Sequence, residues 1–333
     1  MASRARKSKH GARQEKAGLR LGVAGAVILG ALAACCIAVV ALCTVWLQDL
    51  PDYNDASAYN YAEKTKVYAN DGTTLLAEFY LENRDPIDLD EMGTYVTKGT
   101  VATEDERFYQ HNGIDVLGIA RAVWVNVTHT GHEGASTITQ QFVRNTILAD
   151  EATESTLKRK VREAYIAIKL EESYSKDEIL QMYLNTINYG QGAYGIQAAA
   201  QRYYSKNAKD LTIAQAATLI GIPQSPTYNN PIDNPENCKN RRNLVLDRML
   251  TNGVITQEEH DAAQAEDLNL NVSEVSTGDG MYKYAHYVEY AVQDIVDCFL
   301  ELNGLEDTSE NRSKMENELR TGGWRYMDGL DFH

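Results

Sequence analysis

Basic residues are scarce beyond the first twenty positions, and that scarcity sets the first limit on function. Of the 32 Lys and Arg residues, seven fall in residues 1–20 beside a single acid, Glu15. The remainder holds 25 basic against 46 acidic residues, a net charge of −21. A body that acidic has no broad basic face with which to neutralise phosphates, so nucleic acid is excluded as a general partner. Any anionic ligand has to be held by a local basic cluster. Cysteine is also sparse. Cys35, Cys36 and Cys43 lie in an apolar segment and only Cys238 and Cys298 lie outside it. No metal-ligand spacing results, and the last two cysteines are open to being one disulfide or two thiols. The chain has no internal repeat and no low-complexity tract. Proline is rare, and four of the six prolines crowd into Pro223, Pro226, Pro231 and Pro235, which reads as an extended loop.

Against these absences stands one long apolar run. Leu21 to Leu47 carries no charge and is long enough to span a bilayer as a helix. Its basic flank and the following Asp49, Asp52 and Asp55 place the N-terminus inside and the bulk outside. A cleaved signal peptide would have a shorter core. Leu32-Ala33-Ala34-Cys35 resembles a lipoprotein signal, but the residues after Cys35 stay apolar as far as Leu47. The organisation expected is a basic cytoplasmic tail over 1–20, a transmembrane helix over 21–47, a linker over 48–63, a catalytic domain over 64–267 and a linker-like tail over 268–333.

Val67-Tyr68-Ala69 and Leu75 to Tyr80 flank Asn70-Asp71-Gly72-Thr73, the signature of a β-hairpin ended by Pro86. From Val96 the pattern is helical. Leu157, Val161, Ala164, Tyr165 and Ile168 form the expected apolar stripe of one helix. Ser175 and Glu178 read as the capping box of the next, which carries Ile179, Leu180, Met182, Tyr183 and Ile187. Gly190, Gly192 and Gly195 mark a turn. Further helices are expected from Ala198, over Ile213–Ile222, over Arg241–Leu250 and over Tyr287–Leu302. The segment from Glu306 to His333 is expected to end without a packed element.

Three clusters can do chemistry. The first is Thr103 to Asp115, where Glu104, Asp105, Glu106 and Asp115 lie beside Phe108, Tyr109 and His111. A carboxylate beside rings that exclude water can serve as a proton acceptor near neutral pH. The same stretch also reads as a helix start with Thr103 as N-cap and Glu106 as its capping-box partner. The second, Gly134 to Asn145, is dense in hydroxyls and amides that would bond sugar or phosphate oxygens, and it also reads as a helix start capped at Ser136. The third, Lys158-Arg159-Lys160-Val161-Arg162-Glu163, is a basic patch suited to phosphate, or a solvated helix with i,i+4 pairs. Taken together they suit group transfer from a pyrophosphate-linked, lipid-borne donor to a hydroxyl.

Glu104-Asp105-x-x-Phe108-Tyr109-x-His111-x-Gly113-Ile114-Asp115 resembles the first motif of the peptidoglycan glycosyltransferases of family 51. Gly134 to Asn145 resembles the second, Arg159-Lys160-x-x-Glu163 the third and Ile179-Leu180-x-x-Tyr183-Leu184-Asn185 the fourth. Gly221-Ile222-Pro223-Gln224-Ser225-Pro226 with Arg241 and Arg242 resembles the fifth. Five motifs in order are far more specific than any one of them. The resemblance implies a mainly α, lysozyme-like, two-lobed domain with a small N-terminal β-hairpin, one lobe dipping into the membrane, behind one transmembrane helix. It implies Glu104 as the base that takes the proton from the 4-hydroxyl of the lipid II acceptor, with inversion at the anomeric carbon of the growing glycan strand. It implies Arg144, Arg159 and Lys160 as holders of the leaving undecaprenyl pyrophosphate, with a divalent cation (Mg or Mn) as the one cofactor. Glu163 would be a supporting second acid, and Ser136, Gln141, Asn185 and Arg241 would bind substrate. Proteins of cell division or elongation are the implied partners.

The chain departs from the family pattern in two places. Arg144 stands where Lys is usual, and extra residues lie around Asp150 to Ser155. Class A penicillin-binding proteins continue into a transpeptidase with Ser-x-x-Lys, Ser-x-Asn and Lys-Thr-Gly motifs. Here Ser155-Thr156-Leu157-Lys158 lies within the transferase and reads as chance, and Lys-Thr-Gly is absent. Leu319 to Arg325 resembles the start of the linker before a transpeptidase, so a truncated bifunctional protein or a broken reading frame is expected. The competing functions are a lysozyme-like hydrolase or lytic transglycosylase using Glu104 as acid, and a non-catalytic scaffold.

Overall fold

A computed structural model describes residues 29–31, 33–51, 53, 65–79, 83–128, 134–152, 154, 156–273 and 285–321. The basic tail 1–20, the start of the apolar run, most of the 48–63 linker, Ser155 and the stretch from Gly322 onward lie outside the described residues. The chain forms two compact units. The smaller comprises residues 1–51 and 154–162 and contains helix α1, Leu29–Trp46, long and apolar enough to cross a membrane. In this unit Arg162 donates through Nη2 to the carbonyl of Asp49 at 2.5 Å.

The larger unit is mainly helical. Strands β1 (Thr65–Tyr68) and β2 (Leu75–Phe79) form the expected antiparallel hairpin. Asp71 fixes its turn by accepting from the N–H groups of Thr73 and Thr74. β3 (Asn83–Arg84) pairs in parallel with β4 (Ala193–Tyr194). Between and after them run α2 (Thr94–Glu104), α3 (Val116–Val127), α4 (Ile138–Asn145), α5 (Leu157–Ser173, its first residues in the smaller unit), α6 (Lys176–Thr186), α7 (Ile196–Tyr204), α8 (Ile213–Gly221), α9 (Pro235–Thr251), α10 (Gln257–Ala265), α11 (Ala285–Leu302) and α12 (Ser309–Thr321). The caps follow from the sequence. Thr137, Ser175, Thr212 and Thr256 each accept from the third helical N–H, and Gln140, Glu178, Gln215 and Glu259 return the bond to the cap backbone. Pro235 occupies the first turn of α9, where its missing N–H costs nothing, so the proline-rich loop ends one residue before it.

One core joins α8, α9 and α10 through Ala214, Ala217, Ile220, Val245, Leu246, Met249, Ile255 and Ala263, with Tyr95 of α2 packed against it. A second core is made of parts distant in sequence. Val67, Ala77 and Phe79 of the hairpin pack with Val288, Val292, Val296, Phe299 and Leu300 of α11 and Met315 and Leu319 of α12. This corrects the expectation that the segment after Glu306 ends without a packed element. α12 is so polar that only Met315 and Leu319, one turn apart, signal its buried face. Cys238 and Cys298 are free thiols.

The expected stripe on α5 is also corrected. Leu157 is exposed, Val161, Ala164, Tyr165 and Ile168 are half-buried, and the buried positions are Glu163, Ile166, Ala167 and Leu170. A count of apolar residues misses the inward face because that face carries an acid. The Thr103 capping box does not form either. α2 runs through Thr103 and ends at Glu104, so the acids fall at a helix end, not a start.

His260 of α10 lies between Asp261, bonded to Nδ1 at 2.9 Å, and Asp247 of α9, bonded to Nε2 at 2.9 Å. First Asp261 and then Asp247 raise its pKa above 6.5. A raised folded-state pKa stabilises fully below the unfolded value, and that stabilisation is lost as pH rises through the folded value. His260→Ala should therefore lower the melting temperature more at pH 6 than at pH 9. An equal loss at both pH values would show the contact to be packing alone.

Candidate functional site

Thr103 to Asp115 forms the floor of a cleft of about 370 Å³ in the larger unit. Glu104 reaches it because α2 stops there, and Asp105 leaves the helix in an extended conformation (φ −161°, ψ 77°). A carboxylate at the negative end of a helix is electrostatically costly unless neighbours compensate. Two do. Gln141 Nε2 donates to Glu104 Oε2 at 2.8 Å, and Arg241 Nη2 lies 3.6 Å from Oε1. The Gln141 amide is oriented in turn by Tyr183, whose hydroxyl donates to its Oε1 at 3.1 Å. Burial, followed by the negative charge of Glu104, holds the phenols of Tyr183 and Tyr189 well above their ordinary pKa. Both stay protonated.

The other three acids in the floor are committed to the frame. Asp105 bonds His111 Nε2 with both oxygens at 3.0 Å and accepts from the N–H of Ile138 at 3.1 Å. It thereby ties the end of α2 to the start of α4, the helix that carries Gln141. Glu106 pairs with Arg121 at 2.5 Å. Asp115 caps α3 and pairs with Arg107 at 2.6 Å. Burial opposes its ionisation, but the Gly118 N–H and Arg107 outweigh that and hold its pKa below the usual carboxylate value. Glu104 is thus the floor acid whose oxygens meet an amide and a cation across the cleft.

The second motif delivers Ser136, Gln141 and Arg144 to the cleft wall. The helix cap is Thr137, one residue later than expected, and its hydroxyl donates to the carbonyl of Gly113 at 2.7 Å. The fifth motif delivers Pro223, Gln224 and Arg241. Gly221 makes this possible, since a Cβ there would meet Arg241 Cγ at 2.9 Å. Arg242 does not reach the cleft. It is fully buried and donates to the carbonyls of Glu266 at 2.7 Å and Gln264 at 3.0 Å.

Two site residues escaped the sequence. Arg248 lines the cleft, seven residues and two turns after Arg241 on the same face of α9, and Arg121 enters from α3. The i,i+7 spacing was the available signal for Arg248. Among the described residues, neither Arg144 nor Arg248 has a hydrogen bond or ion pair. Arg241 Nε is buried without a partner, and desolvation lowers the pKa of the group. Three guanidinium groups therefore line one opening, and among the described residues only Arg241 of the three is paired with an acid.

The remaining candidates lie elsewhere. Asn185 bonds the backbone of Ile87 from both ends of its amide, at 2.9 and 3.1 Å, and is not in the cleft lining. Its work is to hold the chain after β3, which a spacing argument could not separate from substrate binding. Glu163 is fully buried in α5 and does not line the cleft. Arg159, buried, and Lys160, half-buried, belong to the smaller unit. Among the described residues no group of three His, Cys, Asp or Glu is placed to hold a metal ion.

Beside the cleft, α3 presents an apolar face to solvent. Val116, Leu117, Val123, Trp124 and Val127 are each more than half exposed, whereas Gly118 and Arg121 of the same helix line the opening. An exposed apolar surface of this kind marks a contact with a membrane or another apolar partner.

The sequence model of the transglycosylase family matches residues 72–250. Penicillin-binding protein 1A of Vibrio cholerae is 44% identical over 219 residues, which cover 66% of this chain and 26% of that protein. Penicillin-binding protein 1A of Escherichia coli is 40% identical over 247 residues, 72% of this chain and 28% of that protein. The crystal structure of penicillin-binding protein 1A from Haemophilus influenzae aligns with 74% of this chain and 26% of that one, at 24% identity and a TM-score of 0.40. The chain thus spans about a quarter of the length of the relatives it matches.

Proposed function

The chain belongs to the transglycosylase family, and from that premise we propose that it is a peptidoglycan glycosyltransferase that polymerises lipid II. The observation that carries the reading is the cleft itself: one carboxylate, Glu104, faces three arginines, two of which have no ion pair among the described residues. Glu104 takes the proton from the acceptor's 4-hydroxyl as that oxygen attacks the anomeric carbon. A hydroxyl is a weak nucleophile and gains typically 10²–10⁴-fold from a positioned base. The bond to the undecaprenyl pyrophosphate breaks on the opposite side, so the configuration inverts. Arg144, Arg241 and Arg248 receive the negative charge that develops on the leaving group. Guanidinium groups suit this role because they stay charged and offer paired donors to phosphate oxygens.

The donor's lipid tail fits the exposed face of α3 beside the opening. The helix α1 anchors the chain in the cell membrane as a single span, with the basic N-terminus in the cytoplasm and the catalytic domain outside. A role for Arg159, Lys160 and Glu163 rests on the motif match alone. The floor carboxylates other than Glu104 are each bonded to protein groups, so they do not fit a resident metal, and no step is routed through one.

The hydrolase alternative explains less, because a hydrolase releases no pyrophosphate for three arginines to hold. The test is incubation of the purified protein, in detergent or vesicles, with lipid II. Glycan polymer and undecaprenyl pyrophosphate should appear together. No polymer under conditions where a control transferase works would overturn the reading, and soluble sugar released from finished cell wall would favour the hydrolase.

A further inference from the structure

A second groove, of about 610 Å³, follows the face of α2 that carries Thr94, Thr97 and Lys98. It shares Ala102 and Glu106 with the lining of the cleft. At its other end it shares Leu89, Thr94 and Thr97 with a third hollow of about 530 Å³. The three openings thus follow one helix away from Glu104. None of the residues assigned to base or leaving-group chemistry lies in the second or third.

One wall of the second groove is Tyr109. This side chain is 56% exposed, yet both of its ends are fixed. Its hydroxyl donates to Asp177 Oδ1 at 2.9 Å, and its ring meets Phe108 edge-on with centroids 5.1 Å apart. A rigid, exposed ring gives an apolar face for the C–H side of a pyranose at little cost in side-chain entropy. Around it are the groups a sugar's periphery needs. Asn252 spends its amide hydrogens on the carbonyls of Ala102 and Arg248, which leaves its own carbonyl oxygen to accept from a hydroxyl. Lys98 is exposed and has no hydrogen bond or ion pair among the described residues. It is a cation for the acidic substituents that such a strand carries.

We propose that this groove is a second saccharide subsite, which holds sugars already joined in the glycan strand while the cleft adds the next unit. The proposal rests on the polymerase reading and assigns a place to that reaction's polymeric substrate. A neutral ring platform with few charges suits an amino-sugar chain better than an acyl tail or a phosphate. Retention of the strand between additions then depends on Tyr109, whereas bond formation depends on Glu104.

Two measurements test it on the full chain. In the first, a soluble tetrasaccharide of alternating N-acetylglucosamine and N-acetylmuramic acid is titrated calorimetrically. Tyr109→Ala should weaken its binding at least about fivefold, and Tyr109→Phe, which keeps the ring, should stay within about twofold of wild type. In the second, strand length is read from lipid II polymerisation. Tyr109→Ala should shorten the mean strand several-fold while lipid II consumption stays within about twofold of wild type. Unchanged affinity together with unchanged strand length overturns the subsite. If wild type consumes no lipid II, the polymerase reading fails by itself and the titration still decides the subsite. Should Tyr109→Ala lower the melting temperature, Lys98→Glu on the exposed face carries both measurements, and unaltered affinity and strand length there overturn the proposal.

Discussion

Glu104→Gln is expected to lower lipid II consumption by about 10²–10⁴-fold, the usual contribution of a positioned general base, without lowering the melting temperature. The substitution nearly preserves shape. The amide can still meet Gln141, which lies 2.8 Å from Glu104 Oε2, and the charge removed sits at the negative end of α2, where it does nothing for the helix. What disappears is the acceptor for the sugar hydroxyl's proton. The result is informative because the surroundings are over-determined. Asp105, Glu106 and Asp115 are bonded to His111, Arg121 and Arg107, so none is available to substitute as base without releasing its partner. A rate within about twofold of wild type would remove Glu104 from the chemistry and, with it, the proton transfer that makes the acceptor hydroxyl a nucleophile.

Gly113→Ala is expected to destabilise the fold by about 3 kcal/mol or more, because two independent costs add. Gly113 has φ +82°, a conformation that costs a residue with a Cβ about 1–2 kcal/mol. A Cβ there would also lie 2.7 Å from the backbone of Ala167 and Ile168 in α5 and 2.8 Å from the Ala167 carbonyl oxygen. A backbone neighbour inside a buried helix cannot yield as the end of a flexible side chain would. At about 2–4 °C per kcal/mol for a body of this size, the melting temperature should fall by roughly 6 °C or more. Activity should fall with it, since the Gly113 carbonyl accepts from Thr137, the cap of the helix that carries Gln141. A shift under about 2 °C would show that the loop relaxes away from α5.

The parts of this structure that could be read in the sequence are those governed by local rules. The hairpin around Asp71-Gly72, the Ser175–Glu178 capping box and the glycine turn at Gly190, Gly192 and Gly195 depend on neighbours within a few residues, and each forms as expected. Glu104 and Gln141, 37 residues apart, also meet as the motifs implied. What could not be read depends on which way an element turns toward its neighbours. α5 buries Glu163 with Ile166 and Ala167, against its apolar count. Arg241 and Arg242 are adjacent in sequence, yet one faces the cleft and the other ties α9 to the end of α10. Asn185 lies in a family motif but holds the Ile87 backbone. Two capping readings, at Thr103 and Ser136, failed because a Ser or Thr followed by Glu or Gln is common inside and just before helices as well as at their starts.

The core shared by the hairpin and the two C-terminal helices has a consequence for the order of synthesis. Val67, Ala77 and Phe79 leave the ribosome about two hundred residues before α11, whose Val288, Val292 and Val296 cover them. An isolated two-stranded hairpin is marginal in water, so the earliest strands made are among the last to be secured. During export the growing chain carries Phe79 uncovered until α11 and α12 have emerged. Contacts of such long sequence separation slow folding, so the hairpin should close slowly over a transferase core that has already formed.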